Sequence, residues 1–595
     1  MKKPDISKWS YNANMECLLL FANIVDETTF NYSTDSYKAP ALHSMSLMNE
    51  LHQTIVNIDK GIIREQALES VVNELVWSLN HDEVITSLIE GKGMSSLIPI
   101  INQGSNRSTL KNAVEMILDS ISNNEYLEKS KESISTIVKE NKQKEKLERQ
   151  TRTLITHLKY MGYAEEFIYY KNKEFFFGTS NKIDNANCID VFFNFFSGNS
   201  FKYKVILIGN TITNQIQKLI VDSGDEVGDD FDIGINDRKI KGFKKRKPDD
   251  WKFISIIVEA KDMYAARSVA LDKMEIISNL FSFYHHKNTL TFNNVCMVVD
   301  NSDPSTHIEI PTPTPSIVRC KDMKLISAAK SFIYAAYKVN LERESLIRII
   351  KSLRLHQAAI KADTIENQFV NLFTALEILI PKQVDSGKDR IIQIYDTLVP
   401  YLCLGFYDKL ISSVVDNLKQ WDPKMLTHIV HTVTEGKTTN EKVCAYMLLQ
   451  KYDKDLDNIV YSALTKDHFY LLRHRMYRLH VLMGKPSELL KHLKHHEEKL
   501  KWHIDRIYRT RNLIVHSGIS PNYLETLLEN IHSYYDILIT RLIHDNISRG
   551  FVKLEYSYLM YDMDYKKYLD RLSKLQSGGD TLDENNFMNA VLLQN

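Results

Sequence analysis

Asp505-Arg506-Ile507-Tyr508-Arg509-Thr510-Arg511-Asn512-Leu513-Ile514-Val515-His516-Ser517-Gly518 decides how the C-terminal half of this chain is read. Set on a helix, Leu500, Ile504, Ile507 and Ile514 form one apolar stripe at steps of three and four, and that stripe predicts an apolar residue at 511. Position 511 is Arg. A guanidinium in a buried stripe is costly unless something anionic meets it. Such a conflict between local pattern and residue identity is characteristic of functional sites. Asn512 stands beside it, and Gly518 and Pro521 stop the helix, so His516 falls in the last turn, where the macrodipole favours imidazolium.

These are the parts needed to cleave RNA without a metal. A histidine near neutral pKa can move protons to or from the 2′-hydroxyl or the leaving 5′-oxygen. Arg511 would stabilise charge developing on the phosphate, and Asn512 would orient the histidine or the scissile group. The ribose supplies the nucleophile, in keeping with the absence of a recognisable Ser/His/Asp or Cys/His signature. Around the motif, Lys466–Arg511 holds twelve Lys/Arg against five acids, plus seven histidines, although the whole chain balances 75 Lys+Arg against 75 Asp+Glu. Tyr470, Tyr477, Trp502 and Tyr508 are interleaved, and this local patch reads either as a polyanion surface, RNA before all, or as a basic helix that faces solvent or a partner's acidic surface.

Arg511-Asn512-Leu513-Ile514-Val515-His516 resembles the Arg-Asn-three residues-His motif of HEPN ribonucleases. The wider stretch from Arg506 to Gly518 is similar to the HEPN domain of ApeA-type bacterial anti-phage proteins. Phe373-Thr374-Ala375-Leu376-Glu377-Ile378-Leu379 looks like the early core helix of those domains, with Glu377 at the recurring acidic position. The resemblance covers about residues 325–575. It implies a helical domain that dimerises, two motifs facing each other across the interface, metal-independent RNA cleavage, no cofactor, and a role in abortive infection with a phage-derived activator. It gives Arg511, Asn512 and His516 the catalytic roles. Arg506, Tyr508 and Arg509 are expected to contact substrate, tRNA or another single-stranded loop, with Glu377 positioning the basic residues from a facing helix. The alternative is a non-catalytic RNA- or protein-binding dimerisation module.

Working outward, Glu366–Ile380 reads as a core helix with Phe369, Leu372, Phe373, Leu376, Leu379 and Ile380 on its stripe. Pro311-Thr312-Pro313-Thr314-Pro315 reads as a stiff connector. Before it, the segments 174–178, 189–193, 203–208, 253–258 and 294–299 read as strands. A helix over 264–284 carries Ala265, Val269, Ile276, Leu280 and Phe283 on its apolar side. The predicted class is α+β multidomain: a helical N-terminal region (1–150, with a charged solvated helix or linker at 125–152), a mixed α/β sensor or regulatory domain (153–320), an all-α HEPN-like domain (325–575) and a flexible tail (576–595). Residues 1–320 are assigned by elimination the task of restraining a toxic nuclease.

Weaker signals remain. Asp249 and Glu259-Ala260-Lys261 have the flavour of a Mg²⁺-dependent nuclease site. His492, His495 and His496 have spacing that can clamp zinc on a helix, and Lys244-Lys245-Arg246-Lys247 can touch phosphate. Cys17, Cys188, Cys296, Cys320, Cys403 and Cys444 are scattered without a CxxC pair, which suits a reducing cytoplasm. No signal peptide is read at the N-terminus, and no apolar run approaches the ~18 residues that span a bilayer.

Overall fold

The computed structural model describes residues 5–30, 38–104, 106–178, 182–235, 237–313, 323–381 and 389–591. Cys320 and the end of the proline connector lie outside the described residues. Helices at the two ends of the chain flank one five-stranded sheet among the described residues.

In the N-terminal part, α1 (Glu16–Thr28) has no polar residue from Cys17 to Ala22, and that run is fully buried. The helices over 123–140, 144–160 and 165–177 pack on it. α2 (Ser44–Asp59) and α3 (Ala67–His81) lie against each other in a second apolar cluster, with shorter helices following. The charged stretch 125–152, expected to be solvated, instead forms most of α4 (Asn123–Glu140) and α5 (Lys144–Tyr160). Most of its charges face solvent, because Leu127, Ile134, Ile137, Val138 and Leu147 on the other face are buried with α1 in one apolar cluster. Lys131 alone among its lysines and arginines is buried, donating to the Phe196 carbonyl at 2.5 Å. Ser122 and Glu125 cap α4 reciprocally.

Two expected strands are helices. Residues 174–178 finish α6 (Glu165–Phe177), and 189–193 lie in a short helix, Cys188–Phe193. Aromatic β-propensity is overridden there by packing. Phe175, Phe176, Phe192 and Phe193 crowd around Phe21, whose ring meets those of Phe192 and Phe193 edge-on at 5.8 Å.

The other three strand readings hold. β1 (Phe201–Gly209), β2 (Glu226–Gly228), β3 (Lys252–Ala260), β4 (Val295–Asp300) and β5 (His307–Pro311) run in the order β2-β3-β1-β4-β5. Every neighbouring pair is antiparallel. α7 (Met263–Tyr284), begun by Asp262 accepting from the Tyr264 and Ala265 amides, covers the face bearing Val205, Leu207, Ile254 and Ile256. The buried side of α7 is Ala266, Ala270, Met274 and Ile277, whereas the predicted Val269, Ile276, Leu280 and Phe283 point outward. The helix is apolar nearly all round, and the sheet accepts its smaller side.

The described C-terminal part is helical: α8 (Leu325–Lys338), α9 (Arg343–Lys361), α10 (Ile365–Leu379), α11 (Arg390–Cys403), α12 (Tyr470–Met483), α13 (Pro486–Ser517), α14 (Leu524–Arg549), α15 (Leu554–Ser577) and α16 (Phe587–Val591), with further helices between α11 and α12. The predicted stripe of α10 is buried at all six positions. The described part of the tail, through Val591, does not hang free. Phe587, Ala590 and Val591 enter the main core, and Tyr568 donates to the Ala590 carbonyl at 2.7 Å. One stretch, Arg390–Trp421, has the length and apolar content to cross a membrane. It is broken at left-handed Gly405 (φ 78°), and 67% of its apolar window is buried.

Candidate functional site

α13 is 32 residues long, and Gly518 ends it in the left-handed region (φ 65°), its amide donating to the Ile514 carbonyl at 3.0 Å. Leu500, Ile504 and Ile507 are buried and Ile514 is half-buried, so the stripe is real and position 511 lies on it. Arg511 is half-buried. Its guanidinium carbon stands 6.0 Å from the Phe373 ring centre of α10, a cation–π distance, and Nη1 donates to Asn512 Oδ1 at 3.1 Å. Its Nε is buried without a hydrogen-bond acceptor, and among the described residues no carboxylate pairs with it. His516, four residues beyond Asn512, is exposed in the last turn. The three expected catalytic residues thus lie in the last two turns of α13, His516 exposed and Arg511 and Asn512 half-buried.

The expected substrate contacts are elsewhere. Arg506 is 1% exposed and is the largest fully buried side chain. Its Nε and Nη2 donate to Glu50 at 3.0 and 2.8 Å, and Nη2 also reaches Glu74. Arg509 donates to Glu50 Oε1 at 3.0 Å, and the Tyr523 hydroxyl donates to the same oxygen at 3.2 Å. Arg506 and Arg509 are therefore internal groups that join α13 to α2 and α3, and neither faces a cleft. Burial works to raise the Glu50 carboxyl, but the two guanidinium groups overcome it and hold the pKa at about 2. Glu74 accepts from Arg506, but burial together with the neighbouring Glu50 charge pushes its carboxyl up. Tyr508 packs half-buried on Phe373, ring centres 6.1 Å apart. Glu377 accepts from Arg390 Nε on α11 at 3.2 Å instead of meeting the motif. It lines a cavity of 1270 Å³ with Arg343, Arg348, Lys351 and Lys566, which none of Arg511, Asn512 or His516 reaches.

The same substitution of partners runs along the whole basic segment. Arg473 faces Glu16 at 3.7 Å, His474 faces Glu148 at 3.0 Å, Arg475 pairs with Glu27 and Arg478 with Glu145. Lys499 lies 4.3 Å over the Trp77 ring, and burial lowers its pKa. What reads in the sequence as a polyanion surface is here a junction in which α12 and α13 meet carboxylates of α1, α2, α3 and α5. Lys466, Lys485, Lys491 and Lys494 stay exposed. Of the interleaved aromatics only Tyr477 does, since Tyr470 and Trp502 are buried.

The weaker readings are corrected. Asp249 precedes β3 and Glu259 ends it; the seven steps from Lys252 to Glu259 alone span about 23 Å of extended chain, too far for one metal ion. His492, His495 and His496 point to three neighbours: the Tyr407 hydroxyl at 3.3 Å, the Trp77 ring at 4.9 Å and the Phe406 ring at 3.8 Å. Arg246 pairs with Glu309 and Lys244 with Asp230, both at 2.6 Å.

No family model matches the chain, and neither the curated proteins nor the solved structures contain a match.

Proposed function

We propose that this chain is an endoribonuclease of the HEPN type, with Arg511, Asn512 and His516 as its catalytic residues. The observation that carries the reading is the state of Arg511. Its neighbours Arg506 and Arg509 are paired with buried carboxylates, whereas Arg511 sits in the apolar stripe of the same helix with no acid paired to it among the described residues, beside Asn512, which is itself one turn before exposed His516. A cation that the protein leaves without an anion suits a phosphate brought from outside. His516 would move the proton of the 2′-hydroxyl or of the leaving oxygen, and Arg511 would carry the charge growing on the phosphoryl oxygens. No side-chain nucleophile and no metal is needed for that step.

A second copy of the chain would bring its own motif opposite this one. α8 buries none of its side chains and exposes Leu325, Ile326, Phe332 and Tyr337, which leaves apolar area for such a homodimer. Cytoplasmic action in anti-phage defence, with residues 1–320 regulating, belongs to the same reading. The carboxylates of α1, α2, α3 and α5 on the basic helices support a restraining role for that part.

The test is incubation of the purified full-length protein with total RNA and with duplex DNA, in EDTA and in Mg²⁺, beside His516→Ala and Arg511→Ala. Cleavage of RNA alone, in both buffers and lost in both variants, is the expected result. RNA bound but left intact by wild type and variants alike would make the chain a binding module.

A further inference from the structure

Away from the Arg511–His516 turn, two imidazoles on different helices face each other. His356 of α9 and His532 of α14 hold their Nε2 atoms 3.4 Å apart. Asp536, one turn beyond His532, has its Oδ2 at 3.4 Å from His532 Nδ1. One donor atom from each of the three residues lies within 4.8 Å of the others. We propose that His356, His532 and Asp536 bind a divalent transition-metal ion of the zinc type, which ties α9 to α14.

The spacing is the first reason. Two imidazole nitrogens each about 2.05 Å from a tetrahedral zinc stand roughly 3.3–3.4 Å from each other, the separation of the two Nε2 atoms. The Asp536 carboxylate, which contacts the other ring nitrogen of His532, lies within 4.8 Å of the donor atoms. The donor set is the second. Two imidazoles and a carboxylate are borderline nitrogen and oxygen ligands, which suit zinc and its neighbours and do not suit Ca²⁺ or Mg²⁺. Preorganisation is the third. The His356 ring lies parallel to Tyr535 (9°, centres 4.9 Å apart), and the Tyr535 hydroxyl is fixed by Ser352, 3.1 Å away, which donates in turn to the Ala375 carbonyl. The ring is therefore aimed before any ion arrives. His532 and Asp536 share one face of α14 at a four-residue spacing. The His532 side chain is 13% exposed and Asp536 50%, so the site opens at its carboxylate edge, where a water can complete the coordination.

This site rests on these three residues and not on the nuclease reading, and its ion would be structural, remote in role from His516. A direct imidazole–imidazole hydrogen bond uses the same 3.4 Å separation, and metal titration distinguishes the two. Full-length protein is stripped with a chelator, exchanged into chelator-free buffer and titrated with Co²⁺, then with Zn²⁺. The expected result is one Co²⁺ per chain with the visible absorption bands of a tetrahedral site, displaced by Zn²⁺, and a higher Tm in Zn²⁺. His356→Gln and Asp536→Asn should bind about a hundredfold more weakly and lose the bands. Circular dichroism checks that both variants fold; Asp536 is half exposed, so Asp536→Asn reads the site even where His356→Gln is unstable. Absence of the bands in wild type, or bands of equal strength in both variants, overturns the proposal.

Discussion

The guanidinium of Arg506 and the carboxylate of Glu50 meet at 2.8 Å, both side chains less than a tenth exposed. Taking either charge from water is expensive, and the pair is tolerated only because Glu74, Arg509 and Tyr523 complete the network around it. The N-terminal helices and α13 are consequently parts of one folded body.

Glu50→Gln keeps the shape and removes the charge that two buried guanidinium groups share. We expect it to cost about 3–5 kcal/mol, because the cations stay buried without their anion. Urea unfolding followed by circular dichroism measures this; a midpoint within error of wild type would show that the network carries no net stability.

His516→Ala and Arg511→Ala should each lower RNA cleavage by about 10²–10³-fold. His516 is exposed, so His516→Ala should leave stability within about 0.5 kcal/mol of wild type. On the proposed nuclease reading the double variant should be little worse than either single one, since that reading has both residues act on one transition state. Initial rates on total RNA, read beside melting curves, separate the chemical loss from unfolding.

Burial holds several histidines neutral: His157, His492 and His495 have pKa values of about 4, and His496 and His503 of about 3. Each takes up a proton on unfolding once the pH is below the ordinary 6.5. Their contribution is therefore whole above 6.5 and is lost as the pH falls from 6.5 toward 4 and 3. Glu50, held at about 2, adds a second loss below its ordinary 4.5. Tm against pH should be level above about 6.5 and fall in two stages below it.

Gly518→Ala forces a Cβ into the left-handed region at φ 65°, and that Cβ meets nothing within 4 Å. The cost is then pure backbone strain, about 1–2 kcal/mol, visible as a lower Tm. Gly518→Asn should cost less, since Asn visits this conformation more readily.

Phe587→Ala should destabilise by about 3–5 kcal/mol, because this tail residue is 1% exposed in the main core. Truncation after Ser577 should lower the urea midpoint at least as far; an unchanged midpoint would mean that the tail contributes nothing.

The α10 stripe was legible because its period matched its burial, and the strands at 203–208, 253–258 and 294–299 because they are apolar runs rich in β-branched residues and bounded by turn residues. The aromatic runs at 174–178 and 189–193 were not, since short apolar runs carry no period and their contacts to Phe21 lie far away in sequence. At the site, Arg511 announced itself by breaking a stripe. Glu50 and Glu74 break theirs in the same way, Glu50 between Leu47 and Thr54 and Glu74 beside Val71 and Leu75, all four of them buried. That signal would have found the partners of the basic helix, had acids been screened for misplacement as the arginine was. Which acid meets which arginine depends on the tertiary fold, and no local pattern carries it.

Chain order adds a consequence. Glu50 leaves the ribosome 456 residues ahead of Arg506, roughly half a minute to a minute and a half at ordinary translation speeds. Glu50 and Glu74 are thus already synthesised when the cationic helix emerges, so the carboxylates that meet Arg506 and Arg509 precede them in every nascent copy.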